Sequence, residues 1–254
     1  QTTNPTLITK SPDAQQRLAA GQKFTGEEIL DFYRSVVTEL SALLPNGSIS
    51  VEVYADKNTT AEEMFRQARE MFRWIPNGHI KFPTTHLGLV AAEQAVSEGM
   101  RVNMTLVFSQ EQAAAVHAAT RGAKKGDVFV SPFIGRLDDI GENGMDLIKN
   151  IRRMYDETRS TVEILSASIR SIDHLLASLA YGADIITAPA KVLREWVNAG
   201  KPERLSVSAE TRTGKPIPYK NLNLSKDWRE FDIAHPLTEK GIERFAGDWN
   251  MLIS

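Results

Sequence analysis

Seven short apolar runs alternate with stretches of helical periodicity, and this constrains the fold more than any other feature. The runs are Thr2–Thr3, Ile49–Tyr54, Ile80–Pro83, Arg101–Phe108, Asp127–Pro132, Thr161–Ser168 and Ala183–Ala188. Helical periodicity covers Gly26–Leu44, Thr60–Trp74, Leu87–Ser97, Gln110–Arg121, Gly144–Thr158, Ile172–Leu179, Lys191–Ala199 and a closing stretch, Pro236–Ile253. Short strands separated by helices predict a parallel sheet covered by helices. No G-x-G-x-x-G follows the first strand, which favours a closed (β/α)8 TIM barrel over an open dinucleotide-binding sheet. The 254 residues match the ~250 typical of such a barrel, so one domain over 1–254 is expected. The chain opens on what reads as the end of a strand, so an eighth strand, the first of the barrel, is expected ahead of Gln1.

Composition narrows the function. The chain is 42% hydrophobic and 24% charged, enough to bury a sizeable core. Its formal net charge of −2 gives no global field for nucleic acid or an anionic membrane. An anionic substrate must therefore be held by local cations. With no cysteine there is no disulfide, thiolate metal site or cysteine nucleophile. The five histidines lack ligand spacing, so neither a metal nor another cofactor is expected. No signal peptide and no membrane span are visible, and a cytoplasmic location is expected.

Strand alternation places residues i and i+2 on one face. Ser50, Glu52 and Tyr54 form one polar face, Asn103 and Thr105 a second, and Ser166, Ser168 and Arg170 a third. In a barrel the outer face must pack on helices, so these polar faces are expected to point inward, towards a site at the C-terminal mouth. Lys81 lies on such a strand. It is either a lysine snorkelling from a strand end or a buried amine. Burial disfavours the ammonium form, and neighbouring cations are expected to add to this. The neutral amine is the form that attacks a ketone. Glu52 reads as a general acid/base, as the holder of a catalytic water, or as the ion-pair partner of Lys81; these roles are compatible. Arg136 and Arg170 follow strands and can bind phosphate through forked hydrogen bonds, with Ser168 adding a hydroxyl. Arg136 could instead pair with Asp138 or Asp139.

The stretch 200–235 is polar, lacks periodicity and contains Pro202, Pro216 and Pro218. It reads as a surface excursion, or as a lid or subunit contact, with Trp228, Phe231 and Ile233 available to pin it.

Taken in order, several segments resemble the transaldolase family of class I aldolases. Thr2-Thr3-Asn4-Pro5-Thr6-Leu7-Ile8 resembles T-T-N-P-[ST]-L-[IL], and Ser50-Val51-Glu52-Val53 resembles S-x-E-V. Ile80-Lys81-Phe82-Pro83 resembles the Schiff-base strand [VI]-K-[IL]-P, with Phe82 as a departure. Asn103 to Ser109 resembles N-x-T-L-[IL]-F-S, and Ser131 to Asp139 resembles S-P-F-[VI]-G-R-[IL]-x-D. Ala167-Ser168-Ile169-Arg170 resembles the A-S-[FI]-R phosphate strand, and His235-Pro236-Leu237-Thr238 with Gly241 resembles the closing helix. Each motif alone is common; the ordered set is specific.

The resemblance implies a (β/α)8 barrel that transfers a dihydroxyacetone unit between sugar phosphates in carbohydrate metabolism, in the pentose phosphate pathway. The donor would be sedoheptulose 7-phosphate or fructose 6-phosphate. The acceptor would be erythrose 4-phosphate or glyceraldehyde 3-phosphate. It implies Lys81 as the Schiff-base amine, with Glu52 and Thr105 handling the catalytic water and proton transfers. Asn4 and Asn103 would bind substrate hydroxyls in a site shared with Thr2, Ser131 and Phe133. Arg136, Ser168 and Arg170 would hold the phosphate. Phe133 favours transfer, since the related fructose-6-phosphate aldolases carry Tyr at this position. A homo-oligomer is expected. The family's acid/base Asp, on its first strand, would precede Gln1. The alternatives are a dihydroxyacetone aldolase of the fructose-6-phosphate type and a sugar-phosphate-binding homologue without catalysis.

Overall fold

A computed structural model describes residues 1–203 and 214–254. In chain order the first elements are α1 (Pro5–Thr9), α2 (Pro12–Ala19), α3 (Gly26–Leu43), β1 (Ile49–Glu52), α4 (Ala61–Met71), β2 (Gly78–Pro83), α5 (His86–Ser97) and β3 (Val102–Val107). There follow α6 (Gln110–Ala119), β4 (Val128–Pro132), α7 (Ile134–Asp138), α8 (Gly144–Thr158), β5 (Glu163–Ser166), α9 (Ile172–Ala180), β6 (Ile185–Ile186), α10 (Ala190–Asn198) and α11 (Pro236–Asn250). The backbone forms two compact units, Gln1–Asn103 with Thr238–Ser254, and Met104–Leu237. The chain passes from the first unit to the second within β3. The order of elements is the alternating α/β pattern expected.

In the first unit β1 pairs with β2 in parallel, from Ile49 beside Gly78 to Glu52 beside Lys81. Every residue of both strands is buried, as strands covered on two faces must be. Capping boxes start the flanking helices: Thr25 with Glu28 opens α3, and Thr60 with Glu63 opens α4. Helical spacing then turns Ile29, Tyr33 and Val37 of α3 inward, and Met64, Ala68 and Met71 of α4. Burying each such large apolar side chain contributes about 1.5–3 kcal/mol.

In the second unit β4 pairs with β5, and β5 with the two-residue β6, all in parallel. Helix α6 is buried nearly all round, Ala113, Ala114 and Ala115 being fully enclosed. Small side chains let it pack closely. The described part of the 200–235 stretch is pinned to its neighbours. Asn143 donates its N–H to the Lys215 carbonyl, and Lys220 donates its N–H to the Gln110 side chain. The Gln110 amide donates in turn to the Lys220 carbonyl at 2.6 Å. Trp228, in a 3-10 turn at Trp228–Glu230, is 2% exposed and anchors the strap.

Three expectations need correcting. Thr2–Thr3 is an isolated parallel bridge from Thr2 to Ser50. The run Ala183–Ala188 shrinks to Ile185–Ile186. The short helices α1, α2 and α7 were not foreseen. In α1 and α2, Asn4 and Ser11 cap a first turn that opens with proline.

Candidate active site

Lys81 and Glu52 are register partners on adjacent parallel strands, so their side chains leave the same face. Lys81 Nζ donates to Glu52 Oε2 at 2.7 Å and to the Thr3 carbonyl at 3.3 Å. Both side chains are buried, 4% and 5% exposed. The ring of Phe245 lies 5.9 Å from Nζ and adds a π face to the amine's surroundings. The ion pair with Glu52 that the sequence allowed is present, and the charged group facing Lys81 is therefore a carboxylate, where neighbouring cations were also expected. The register that buries the lysine also puts Glu52 beside it.

Beyond this pair, Asn103 Nδ2 donates to Ser50 Oγ at 2.9 Å, joining β3 to the polar face of β1. Ser50, Glu52, Lys81 and Asn103 are therefore gathered as alternation predicted. Asn4 is engaged through its carbonyl oxygen, which accepts the Leu7 N–H at 2.9 Å as a helix cap. A cavity of about 210 Å³ borders Glu52 and Tyr54, walled by Ile29, Met71, Trp74 and Trp249. It has room for several waters, at ~30 Å³ each. The 2.7 Å contact of Lys81 with Glu52 is short enough for a proton to pass between Nζ and the carboxylate, and an amine in its neutral form adds to a carbonyl.

Sequence reasoning missed Tyr33, which lies on the buried stripe of α3 and is 1% exposed. Its hydroxyl accepts the Glu52 backbone N–H at 2.7 Å and lies 2.6 Å from Thr3 Oγ1. Burial pushes the phenol's pKa up, so it stays neutral. Its i, i+4 spacing between Ile29 and Val37 was legible as core; its polar contacts were not.

The residues expected to hold an anion, Arg136, Ser168 and Arg170, lie in the second unit. Arg170 Nη2 pairs with Asp139 Oδ2 at 2.9 Å, and its Nε lies 3.4 Å from Ser168 Oγ. Arg136, on α7, lies with its guanidinium 5.4 Å from the Phe133 ring centre. Asp138 pairs with His174 at 2.9 Å. The carboxylate of Asp139, weighed as a partner for Arg136, thus engages Arg170. Ser168 holds a left-handed backbone, φ 61°, which a non-glycine residue adopts only where its surroundings impose it. Gly135 permits the approach of α7 to this loop, because a Cβ there would fall 2.3 Å from the Ser168 carbonyl oxygen. Phe133 meets Phe108 edge to face at 5.9 Å, and Phe108 stacks on His235 at 5.2 Å. Thr105 and Ser131 are buried on β3 and β4.

The expected inward face of Ser166, Ser168 and Arg170 does not hold for Ser166. Its hydroxyl bonds Ser178 of α9 at 2.8 Å, on the helix side of the strand. Strand β5 ends at Ser166, so period-two alternation does not carry on to Ser168 and Arg170. Among the described residues no cluster of His, Asp and Glu could hold a metal ion. No described helix is long and apolar enough to cross a membrane.

The scaffold is α/β, with a lysine–carboxylate pair buried on adjacent parallel strands. The chain belongs to the transaldolase/fructose-6-phosphate aldolase family, whose sequence profile matches residues 1–254. It is 37% identical to a probable transaldolase of Dehalococcoides mccartyi, over 98% of this chain and 86% of that protein. It is 36% identical to probable transaldolases of Caulobacter sp. (strain K31) and Brucella ovis, in each case over 98% of this chain and 85% of the relative.

Proposed function

We propose that the protein is a transaldolase on a (β/α)8 framework, moving a dihydroxyacetone unit from a ketose phosphate to an aldose phosphate through a Schiff base on Lys81. The observation that carries this reading is the buried Lys81–Glu52 pair, 2.7 Å apart and in register on β1 and β2. In the proposed reaction Glu52 accepts a proton from the Lys81 ammonium. The neutral amine adds to the ketose carbonyl carbon, forming a C–N bond. Glu52 returns the proton to the carbinolamine oxygen, which leaves as water, and an iminium remains. The Glu52 carboxylate, free again, then takes the proton of the donor's C4 hydroxyl as the C3–C4 bond breaks. The iminium takes up that bond's electron pair to become an enamine, and the aldose departs as an aldehyde. The enamine adds to the acceptor aldehyde, whose oxygen receives the proton held by Glu52, and water adds to the regenerated iminium to release the new ketose and the lysine amine.

In this reading Thr105 assists with the water, and Asn4, Asn103, Thr2, Ser131 and Phe133 contact substrate. Arg136, Ser168 and Arg170 take the phosphate, which displaces Asp139 from Arg170. Phe133 in place of Tyr supports transfer over plain aldol cleavage.

Borohydride reduction in the presence of fructose 6-phosphate tests the proposal. Mass spectrometry should find a reduced dihydroxyacetone adduct on Lys81, and turnover should require an aldose phosphate acceptor. Free dihydroxyacetone released rapidly without an acceptor would reassign the protein to simple aldol cleavage. Absence of any adduct would remove the Schiff-base reading altogether.

A further inference from the structure

We infer that the Tyr33 hydroxyl is a positioning group for the Lys81–Glu52 pair, tying the backbone of Glu52 to Thr3, whose carbonyl holds the lysine. The inference rests on the Schiff-base reading above.

The hydrogen-bond directions follow from donor counting. The Thr3 hydroxyl gives its one proton to the Ser50 carbonyl at 2.7 Å. It can therefore only accept in its 2.6 Å contact with Tyr33, so the phenol donates there. The phenol oxygen in turn accepts the Glu52 N–H at 2.7 Å. A single directed chain runs from the Glu52 backbone through Tyr33 and Thr3 to Ser50. Thr3 is also fixed by its own N–H, which donates to the Ser50 carbonyl at 3.0 Å. Its carbonyl faces Lys81 Nζ at 3.3 Å. Both groups that hold the amine, the Glu52 carboxylate and the Thr3 carbonyl, thus belong to residues anchored on one phenol.

The phenol is itself held. Trp74 and Trp249 meet its ring edge to face at 5.9 and 5.8 Å. Phenylalanine would fill this space without desolvating a hydroxyl, which costs free energy unless its hydrogen bonds are made. Tyr33 satisfies both sides of its hydroxyl, and both partners are residues of the candidate site. It does not touch Lys81, so its effect on chemistry passes through Glu52 and Thr3.

Tyr33→Phe keeps the ring and removes the chain of hydrogen bonds. Measured per folded molecule, its kcat should fall roughly tenfold to a hundredfold, as expected when a reacting group is misplaced by about 1 Å. KM for the ketose phosphate should stay within about twofold, because no substrate contact is removed. A role confined to packing would lower thermal stability and leave kcat per folded molecule unchanged, and that result would overturn the inference. Thr3→Val and Thr3→Ser form a second pair that decides the matter if Tyr33→Phe does not fold. Slow turnover in Thr3→Val with recovery in Thr3→Ser supports the chain, and parent-like turnover in Thr3→Val overturns it. Borohydride trapping of the parent protein separates the two levels. No adduct on the parent's Lys81 overturns the Schiff-base reading and this inference together. An adduct on the parent with unchanged kcat in Tyr33→Phe overturns the positioning role alone.

Discussion

At the scale of single residues, the Lys81–Glu52 pair sets both the proposed chemistry and a cost in stability. Two charges withdrawn from water gain little net stability together, and one left alone is expensive. Lys81→Met should therefore lower the free energy of unfolding by about 3–5 kcal/mol, because Glu52 is stranded in the core. The double variant Lys81→Met/Glu52→Leu should recover most of that loss. Urea denaturation measures both, and a Lys81→Met protein as stable as the parent would show that the pair is not buried as described.

Two histidines give the molecule a pH response. Burial, with some repulsion from Arg121, holds His117 below its ordinary value of 6.5. Burial does the same for His235, partly opposed by Glu142. In this window the unfolded chain binds more protons than the folded one, so stability rises with pH. Stability should be lost as pH falls through 6.5 and level off once the folded-state histidines are themselves protonated. His117→Gln should flatten the slope of melting temperature between pH 7.5 and 5.5, chosen to span that ordinary value of about 6.5. An unchanged slope would exclude His117 as a contributor. At this scale Lys81, Glu52 and Asn103 were legible because they interrupt otherwise apolar strands. Tyr33 was hidden because an aromatic on a buried helical stripe reads as packing, and its partners lie 19 and 30 residues away.

At the scale of elements, the sequence reading succeeded where the period was long and the caps explicit. Helix α4 is an instance, with Thr60 and Glu63 at its start. The short helices α1 and α2 carried their own signal, a capping Asn4 or Ser11 followed by proline, but span too few turns to show periodicity. Alternation failed at β5 for a related reason. Ser166 ends the strand, and the left-handed Ser168 reorients the chain before Arg170.

Gly135 is the pivot of this region. A Cβ there would also fall 2.7 Å from the Arg170 side chain, so Gly135→Ala must displace the loop that carries Ser168 and Arg170. In the proposed enzyme this variant should raise KM for phosphorylated substrates while leaving reduction of a dihydroxyacetone adduct onto Lys81 intact. Steady-state kinetics beside borohydride trapping would show the split. Equal loss of both would mean that the whole fold, and not the loop alone, has shifted.

At the scale of the whole molecule, charge bears on how the proposed enzyme would hold an anionic substrate. The formal net charge is −2, so no global positive field would gather sugar phosphates, and in this reading affinity comes from a few local cations. Arg170 is the most sharply placed of these, with its guanidinium on Asp139 and beside Ser168. Its side chain is 52% exposed, so solvent screens the contact and the lower end of charged hydrogen-bond strengths applies. Arg170→Ala should then raise KM for fructose 6-phosphate roughly tenfold, the equivalent of about 1.4 kcal/mol. Trapping of unphosphorylated dihydroxyacetone on Lys81 should be unaffected, since it has no phosphate to lose. Raising the ionic strength should weaken the parent's affinity for fructose 6-phosphate and weaken that of Arg170→Ala less steeply, because one of the two proposed cationic contacts has been removed while Arg136 remains. Equal salt dependence in the two proteins would locate the phosphate elsewhere.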